Sequence, residues 1–203
     1  DISNNSGSAV NGLVFGTSSD NSVLQGVALT KFNNDGLQII NTSNVTVRCN
    51  HIGLFSDGSA GGNGRYGILM SSADSNIIGG SLLTDRNVIS GNGVDGMNVT
   101  SSADSNTING NIIGLGIYGM TDMGNGQDGI QIANSDSNTV GDGEEYRNII
   151  SGNGFRGIII NGTATLNRIQ SNFIGLGITG LTAAGNDDRG VVVCCGNSTF
   201  NFV

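Results

Sequence analysis

The six residues Asn111-Ile-Ile-Gly-Leu-Gly recur as Asn172-Phe-Ile-Gly-Leu-Gly, 61 residues further on, and an earlier copy, Asn50-His-Ile-Gly-Leu, lies the same distance upstream. A second segment, Arg86-Asn-Val-Ile-Ser-Gly-Asn-Gly, returns as Arg147-Asn-Ile-Ile-Ser-Gly-Asn-Gly at that offset. A fixed period of this kind marks an array whose units complete their cores by stacking on one another. Each unit holds two copies of a shorter motif, Gly-apolar-x-apolar. It reads Gly12-Leu-Val-Phe, Gly36-Leu-Gln-Ile, Gly67-Ile-Leu-Met, Gly96-Met-Asn-Val, Gly129-Ile-Gln-Ile, Gly157-Ile-Ile-Ile and Gly190-Val-Val-Val. From Gly36 onward the spacings are 31, 29, 33, 28 and 33 residues; the first, 24, implies a shorter turn.

The local period is two. Leu13 and Phe15, Ile130 and Ile132, and Ile158 and Ile160 fall on one face, while Gln38, Asn98 and Gln131 face the other way. Gly, Asn, Asp or Ser interrupts each run after a few residues, which is too short for a helix. A second strand follows in Asn76-Ile-Ile, Asn106-Thr-Ile, Asn138-Thr-Val and Asn167-Arg-Ile, and a third in Asn87-Val-Ile, Asn111-Ile-Ile, Asn148-Ile-Ile and Asn172-Phe-Ile. Three short strands per coil, with equivalent positions stacked axially, define an all-β parallel β-helix, a β-solenoid. Seven motif starts give about six coils, and at roughly 4.8 Å per stacked strand a length of about 30 Å. We expect residues 1–203 to form one such domain, or a fragment of a longer solenoid; a start at Asp1 rather than Met implies a removed leader or a fragment.

Stacking accounts for the asparagines. One Asn at a corner of each coil can bond its own turn and the Asn above it, satisfying polar groups that a tight bend would strand. The columns Asn76, Asn106, Asn138, Asn167 and Asn87, Asn111, Asn148, Asn172 are the expected structural ladders, with Asn44 displaced by one residue and the ladder weakened there. Removing a mid-ladder Asn such as Asn138 is expected to cost on the order of 1–3 kcal/mol.

The stretch Arg147–Val193 resembles the parallel β-helix repeats of bacterial secreted and cell-surface proteins, in which coils of the types NVISGN…GNGV and N.IGTD.TG…GN alternate. Ile178-Thr-Gly-Leu-Thr-Ala-Ala-Gly-Asn matches the long loop of the second coil type. The resemblance covers nearly the whole chain. It implies right-handed winding and a secreted or cell-surface location, and says little of activity, because lyases, hydrolases and adhesins share the repeat.

Charge narrows the partners. With a net charge of −8 and eight scattered cations, the chain lacks the clustered Lys and Arg that nucleic acid or an anionic membrane surface requires. No apolar run reaches the length of a membrane span, so no membrane insertion is expected. Cys49 lies several coils from Cys194 and Cys195, too far for a bridge. For the adjacent pair a vicinal disulfide is the rarer option, and free thiols, one facing in and one out, are expected.

Each candidate site has a structural reading beside a functional one. Asp20, Asp74, Asp104 and Asp136 stack at one corner, where like charges repel unless screened or metal-bound. Calcium is the one cofactor conceivable there; Asx-turns bonding the local backbone are the expected arrangement. His51, the sole histidine, reads as a surface filler. Glu144 and Glu145 sit on an exposed loop tip, and Asp187-Asp188 in a solvated turn. The outward positions His51, Val88, Ile112, Ile149 and Phe173 form an apolar stripe. We expect the loops near 54–64, 115–126 and 176–187 to cover it; otherwise it is a partner surface.

No catalytic residue is assigned. Gly-His-Gly, Asn-Thr-Asp and Arg-Ile-Lys segments are absent, and without Pro there is no Asp-Pro-His-Asp element. The reading favoured by the sequence is a non-catalytic extracellular solenoid acting as scaffold, adhesin or filament subunit associating head to tail through open coil ends. The competing reading is a polysaccharide-active lyase or glycoside hydrolase with its site on loops beside one sheet.

Overall fold

The computed structural model describes residues 2–3 and 10–203. It is a right-handed parallel β-helix. Sheet one stacks seven strands, Leu13–Phe15, Leu37–Ile40, Ile68–Ser71, Met97–Thr100, Ile130–Ala133, Ile158–Gly162 and Val191–Gly196. Sheet two stacks six, Val23–Gln25, Thr46–Arg48, Ile77–Gly79, Thr107–Asn109, Thr139–Val140 and Arg168–Ile169. Sheet three stacks seven, Ile2–Ser3, Ala28–Thr30, His51–Ile52, Val88–Ile89, Ile112–Ile113, Ile149–Ile150 and Phe173–Ile174. Every neighbouring pair is parallel, and the register follows the sequence repeat: Ile68, Met97, Ile130 and Ile158 lie in one column.

Inward columns make the core. Ile39, Met70, Val99, Ile132 and Ile160 come from sheet one, Val47, Ile78, Ile108 and Val140 from sheet two, and Leu29, Ile52, Ile89, Ile113 and Ile150 from sheet three, all fully buried in one cluster. The glycine that opens sheet one in each coil is dictated by space. A Cβ at Gly36, Gly67, Gly96, Gly129 or Gly157 would lie 2.5–2.9 Å from the carbonyl oxygen of the equivalent glycine one coil on.

Three asparagine ladders run along the corners. In the first, each side-chain Nδ2 donates to the next Oδ1, from Asn76 through Asn106 and Asn138 to Asn167 and Asn201, at 3.0–3.1 Å. Each Oδ1 also accepts the backbone N–H of the preceding Asn, as Asn138 does from Asn106 at 2.9 Å. Before Asn76 the rung is Val45, whose N–H donates to Asn76 Oδ1 but which has no side chain to pass the pattern on. Asn44 instead takes the left-handed corner conformation, φ 58°, that Ser75, Ser105 and Ser137 adopt in their coils. The second ladder runs Asn50, Asn87, Asn111, Asn148, Asn172. The third, Asn63, Asn92, Asn125, Asn153, Asn186, stands at the corner before sheet one and was not anticipated.

Two expectations need correction. Cys194 and Cys195 are joined as a vicinal disulfide, not free thiols, at a bulge where the strand carries one residue more than its neighbour. The aspartate column does not form turns bonded to the local backbone. Asp74 accepts the N–H of Asp104, Asp104 that of Asp136, and Asp136 that of Thr165, at 2.7–2.9 Å, so each carboxylate bonds one coil ahead. Asp20 likewise accepts Ser43 N–H and Thr42 Oγ1–H, and these bonds hold its carboxyl below the usual range. These inter-coil bonds are what make a stack of carboxylates tolerable.

Among the described residues no helix is long and apolar enough to cross a membrane.

Candidate functional site: a cleft made by alternating coils

Two coil types alternate, and each places its long loop at a different corner. In one, sheet three runs into a small antiparallel hairpin, bridged at Leu54–Ala60, Leu115–Asp122 and Leu176–Ala183. These hairpins fold back over the apolar stripe. Val88, Ile112 and Ile149 are buried with Leu54 and Leu115, and Ile117, Met123, Phe173, Ile178 and Ala184 pack against them. His51 is half-buried at the stripe's edge, its Nδ1 3.1 Å from the Phe55 carbonyl oxygen. The stripe is therefore a second, smaller core.

In the other coil type the long loop joins sheets two and three. It carries a short 3₁₀ turn, Leu83–Asp85 in one copy and Glu144–Tyr146 in the next. Between these loops the intervening coil has only the tight turn at Gly110, between strands ending at Asn109 and starting at Ile112. Two walls two coils apart, with a short turn between them, leave a cleft of about 560 Å³. Leu82, Leu83 and Arg86 line one wall, Glu144, Glu145 and Arg147 the other, with Ile149 and Ile178 also lining it.

The two arginines hold equivalent places, each just before a ladder asparagine. Arg86 Nε donates to the Gly110 carbonyl at 2.8 Å, and its half-burial lowers its pKa while leaving it a cation. Arg147 Nε donates to the Ser171 carbonyl at 3.2 Å, and its guanidinium lies 4.0 Å over the Phe173 ring. One Nε bond anchors each guanidinium at the recess. Two coils place the pair roughly 10 Å apart. Leu82 and Leu83 are 62% and 78% exposed, so the first wall offers apolar surface. Asn109, at the foot of the first loop opposite Gly79, holds a buried Oδ1 with no hydrogen-bond partner. Glu144 and Glu145 are exposed neighbours on one 3₁₀ turn, and Asp188 pairs with Arg189 at 2.6 Å in its loop.

A second polar constellation, unforeseen in the sequence, lies on the outer face of sheet one. Asp35 accepts Arg65 through Nε and NH2 at 2.8 and 2.9 Å, and Asp128 accepts Arg156 the same way at 2.9 and 3.1 Å. Between them Asp95 has no arginine. It accepts Asn98 Nδ2 at 3.2 Å and the N–H of Asp128 at 3.1 Å, and burial pushes its pKa up to about 6. Asp95 is buried, with 2% of its surface exposed. The pattern Asp-Gly-apolar-Gln/Asn-apolar, at Asp35, Asp95 and Asp128, was its sequence signal.

The ladder asparagines of the sequence reading stand at corners as hydrogen-bonding rungs. They position the cleft, since Asn87 and Asn148 follow Arg86 and Arg147. Asp74, Asp104 and Asp136 are not brought near it. Among the described residues no group of three or more His, Cys, Asp or Glu is placed to hold a metal ion.

Fold and cleft together define a right-handed parallel β-helix with a ligand-sized recess between repeat units. The crystal structure of the periplasmic alginate epimerase AlgG is similar to 95% of this chain, with a TM-score of 0.65 at 14% sequence identity. The matched part is 48% of that chain, so this one spans about half its length. At such identity the likeness shows the fold alone. No protein-family model and no curated protein sequence matches the chain.

Proposed function

We propose that this chain is a secreted β-solenoid, folded as one domain, that binds an acidic polysaccharide in the cleft between the two 3₁₀ loops without transforming it. The observation that carries this reading is the pair of equivalent guanidiniums, Arg86 and Arg147, one sequence repeat apart and facing a shared recess. Guanidinium forks match carboxylates bidentately, and a spacing of two coils suits successive charged groups along an extended chain. Leu82 and Leu83 supply apolar surface against sugar rings. The fold shared with an alginate epimerase, and the resemblance to secreted bacterial repeats, support a polysaccharide partner outside the cytoplasm.

The walls do not suit glycoside hydrolysis. Glycoside hydrolysis sets two carboxyl groups on opposite sides of the bond, about 5–9.5 Å apart. Here both lining carboxylates, Glu144 and Glu145, come from one turn of one wall. The test is affinity electrophoresis of the protein in gels containing a polyuronate or a neutral glucan. Retardation by the polyuronate alone, lost in Arg86→Gln/Arg147→Gln and weakened by salt, is expected. Equal retardation in both gels refutes anion recognition. Unsaturated products or new reducing ends, with or without calcium, refute the non-catalytic part.

A scaffold or filament role is the second reading. Exposed Phe200, Phe202 and Val203 favour it as apolar surface that a second copy could cover. Sedimentation at rising concentration tests it, and a constant monomer mass rejects self-stacking.

A further inference from the structure

A disulfide between adjacent residues is a poor staple. Cross-links stabilise mainly by closing loops in the unfolded chain, and a bond spanning one peptide closes almost none. The Cys194–Cys195 bond must act on local conformation instead. What it alters is visible in the register of sheet one. The strand Val191–Gly196 pairs with Ile158–Gly162 as Ile158 with Val191, Ile159 with Val192 and Ile160 with Val193, and then Gly162 faces Gly196. Asn161 alone stands opposite the two cysteines, which is a β-bulge. The four-residue pairings of the earlier coils, from Leu37–Ile40 through Ile130–Ala133 and on to Asn161, carry no such break.

The segment beyond the bulge closes the same coil. Ser198 Oγ donates to the Gly162 carbonyl at 3.2 Å, and Asn201 ends the first ladder by accepting Asn167 Nδ2 at 3.0 Å. Phe202 donates its N–H to the Asn167 carbonyl and accepts that of Ile169, both at 2.8 Å. The bulge thus sets where residues 197–203 meet the preceding coil. Cys195 is exposed and Cys194 is half-buried; the left-handed φ of 65° at Cys195 is the corner conformation that Ser72, Ser101 and Asn134 adopt in their coils, so the bulge is what sets this coil apart.

We propose that Cys194–Cys195 is a thiol–disulfide exchange site for a dithiol reductant, attacked at Cys195, and that its reduction releases the bulge and loosens residues 191–203. A reductant thiolate attacks Cys195 Sγ, the bond between the cysteines breaks, and its electron pair leaves on Cys194 Sγ, which takes up a proton. The second thiol of the reductant attacks the mixed disulfide and frees Cys195 as a thiol. The pair gains two electrons and two protons, and the dithiol becomes a cyclic disulfide. Once the ring is open, the bulge opposite Asn161 is no longer held by a bond between the two side chains.

The experiment uses the full chain, with dithiothreitol as the probe. Thiol titration of the untreated protein should count one thiol, Cys49, and three after treatment. Hydrogen exchange followed by mass spectrometry should then accelerate at least about tenfold in residues 191–203, with residues 97–160 unchanged. Cys194→Ser/Cys195→Ser should exchange like the reduced protein and ignore dithiothreitol. Three thiols before treatment, no gain after it, or equal exchange in 191–203 for both forms each overturn the proposal. The wild-type comparison decides the matter even where the double variant folds poorly.

Discussion

Replacing Asn138 by alanine tests whether the ladders hold the solenoid together. Asn138 is fully buried, and its Oδ1 accepts two donors from the coil before, Asn106 Nδ2 at 3.0 Å and Asn106 N–H at 2.9 Å. Its own Nδ2 donates to Asn167 Oδ1 at 3.1 Å, an acceptor that keeps the Asn138 N–H at 2.9 Å after truncation. The substitution therefore strands two buried donors and no acceptor. At about 1–3 kcal/mol for each unsatisfied group, the loss is about 2–6 kcal/mol, above the 1–3 kcal/mol that a one-bond picture gives. Asn76 is the internal control, because its Oδ1 accepts only the Val45 N–H, at 2.8 Å. Asn76→Ala strands one donor and should cost about half as much. Guanidinium denaturation followed by circular dichroism, with the m-value checked for constancy, measures both. Equal losses for the two variants, or a loss below about 1 kcal/mol for Asn138→Ala, would refute the claim that one oxygen serves two donors.

Three further outcomes follow from single residues. Asp95 holds its proton more tightly folded, with a pKa of about 6, than unfolded, at its ordinary value of 3.8. Its contribution is thus full below about pH 4 and is lost as pH rises through 6, a fall of about 3 kcal/mol; unfolding midpoints across pH 4–8 should show it, and Asp95→Asn should flatten that component. Leu166 occupies the left-handed corner at φ 58°, where equivalent coils place Ser or Asn, and it is 57% exposed. Leu166→Asn should raise stability by about 1 kcal/mol in the same denaturation assay. Ile112, fully buried under the hairpin of residues 115–126, anchors the smaller core. Ile112→Ala should cost about 2–5 kcal/mol and speed proteolysis within that hairpin; unchanged cleavage there would mean that the hairpin is held by its backbone bonds alone.

The sequence made the repeat legible because each coil must present the same residue types at the same corner, so Ile130 and Ile158 recur for one physical reason. The covering of the stripe was readable too, since Leu115 and Leu176 recur in the loops that had to fold back. Other features were less visible. The third ladder was hidden because Asn63, Asn92 and Asn125 sit in Gly-Asn-Gly segments that look like ordinary turns. The direction of the aspartate bonds depends on which amide lies one coil ahead, which composition does not encode. The cleft was missed because it is made by a missing loop: Gly110 is unremarkable until the loops on either side rise past it. Asp95 stands out only when its arginine-paired neighbours, Asp35 and Asp128, are seen beside it.

The alternation of coil types also fixes the grain at which such a chain can change length. Inserting one coil of about thirty residues would either seat hairpin on hairpin and widen the recess or bring two 3₁₀ loops side by side and close it. Inserting 61 residues preserves every column and adds one more recess with one more guanidinium. On the proposed reading, valency toward a long polymer would be counted in whole sequence units, and each added unit would make the next contact intramolecular. Strength of attachment then grows by multiplication, while the chemistry of each recess stays the same.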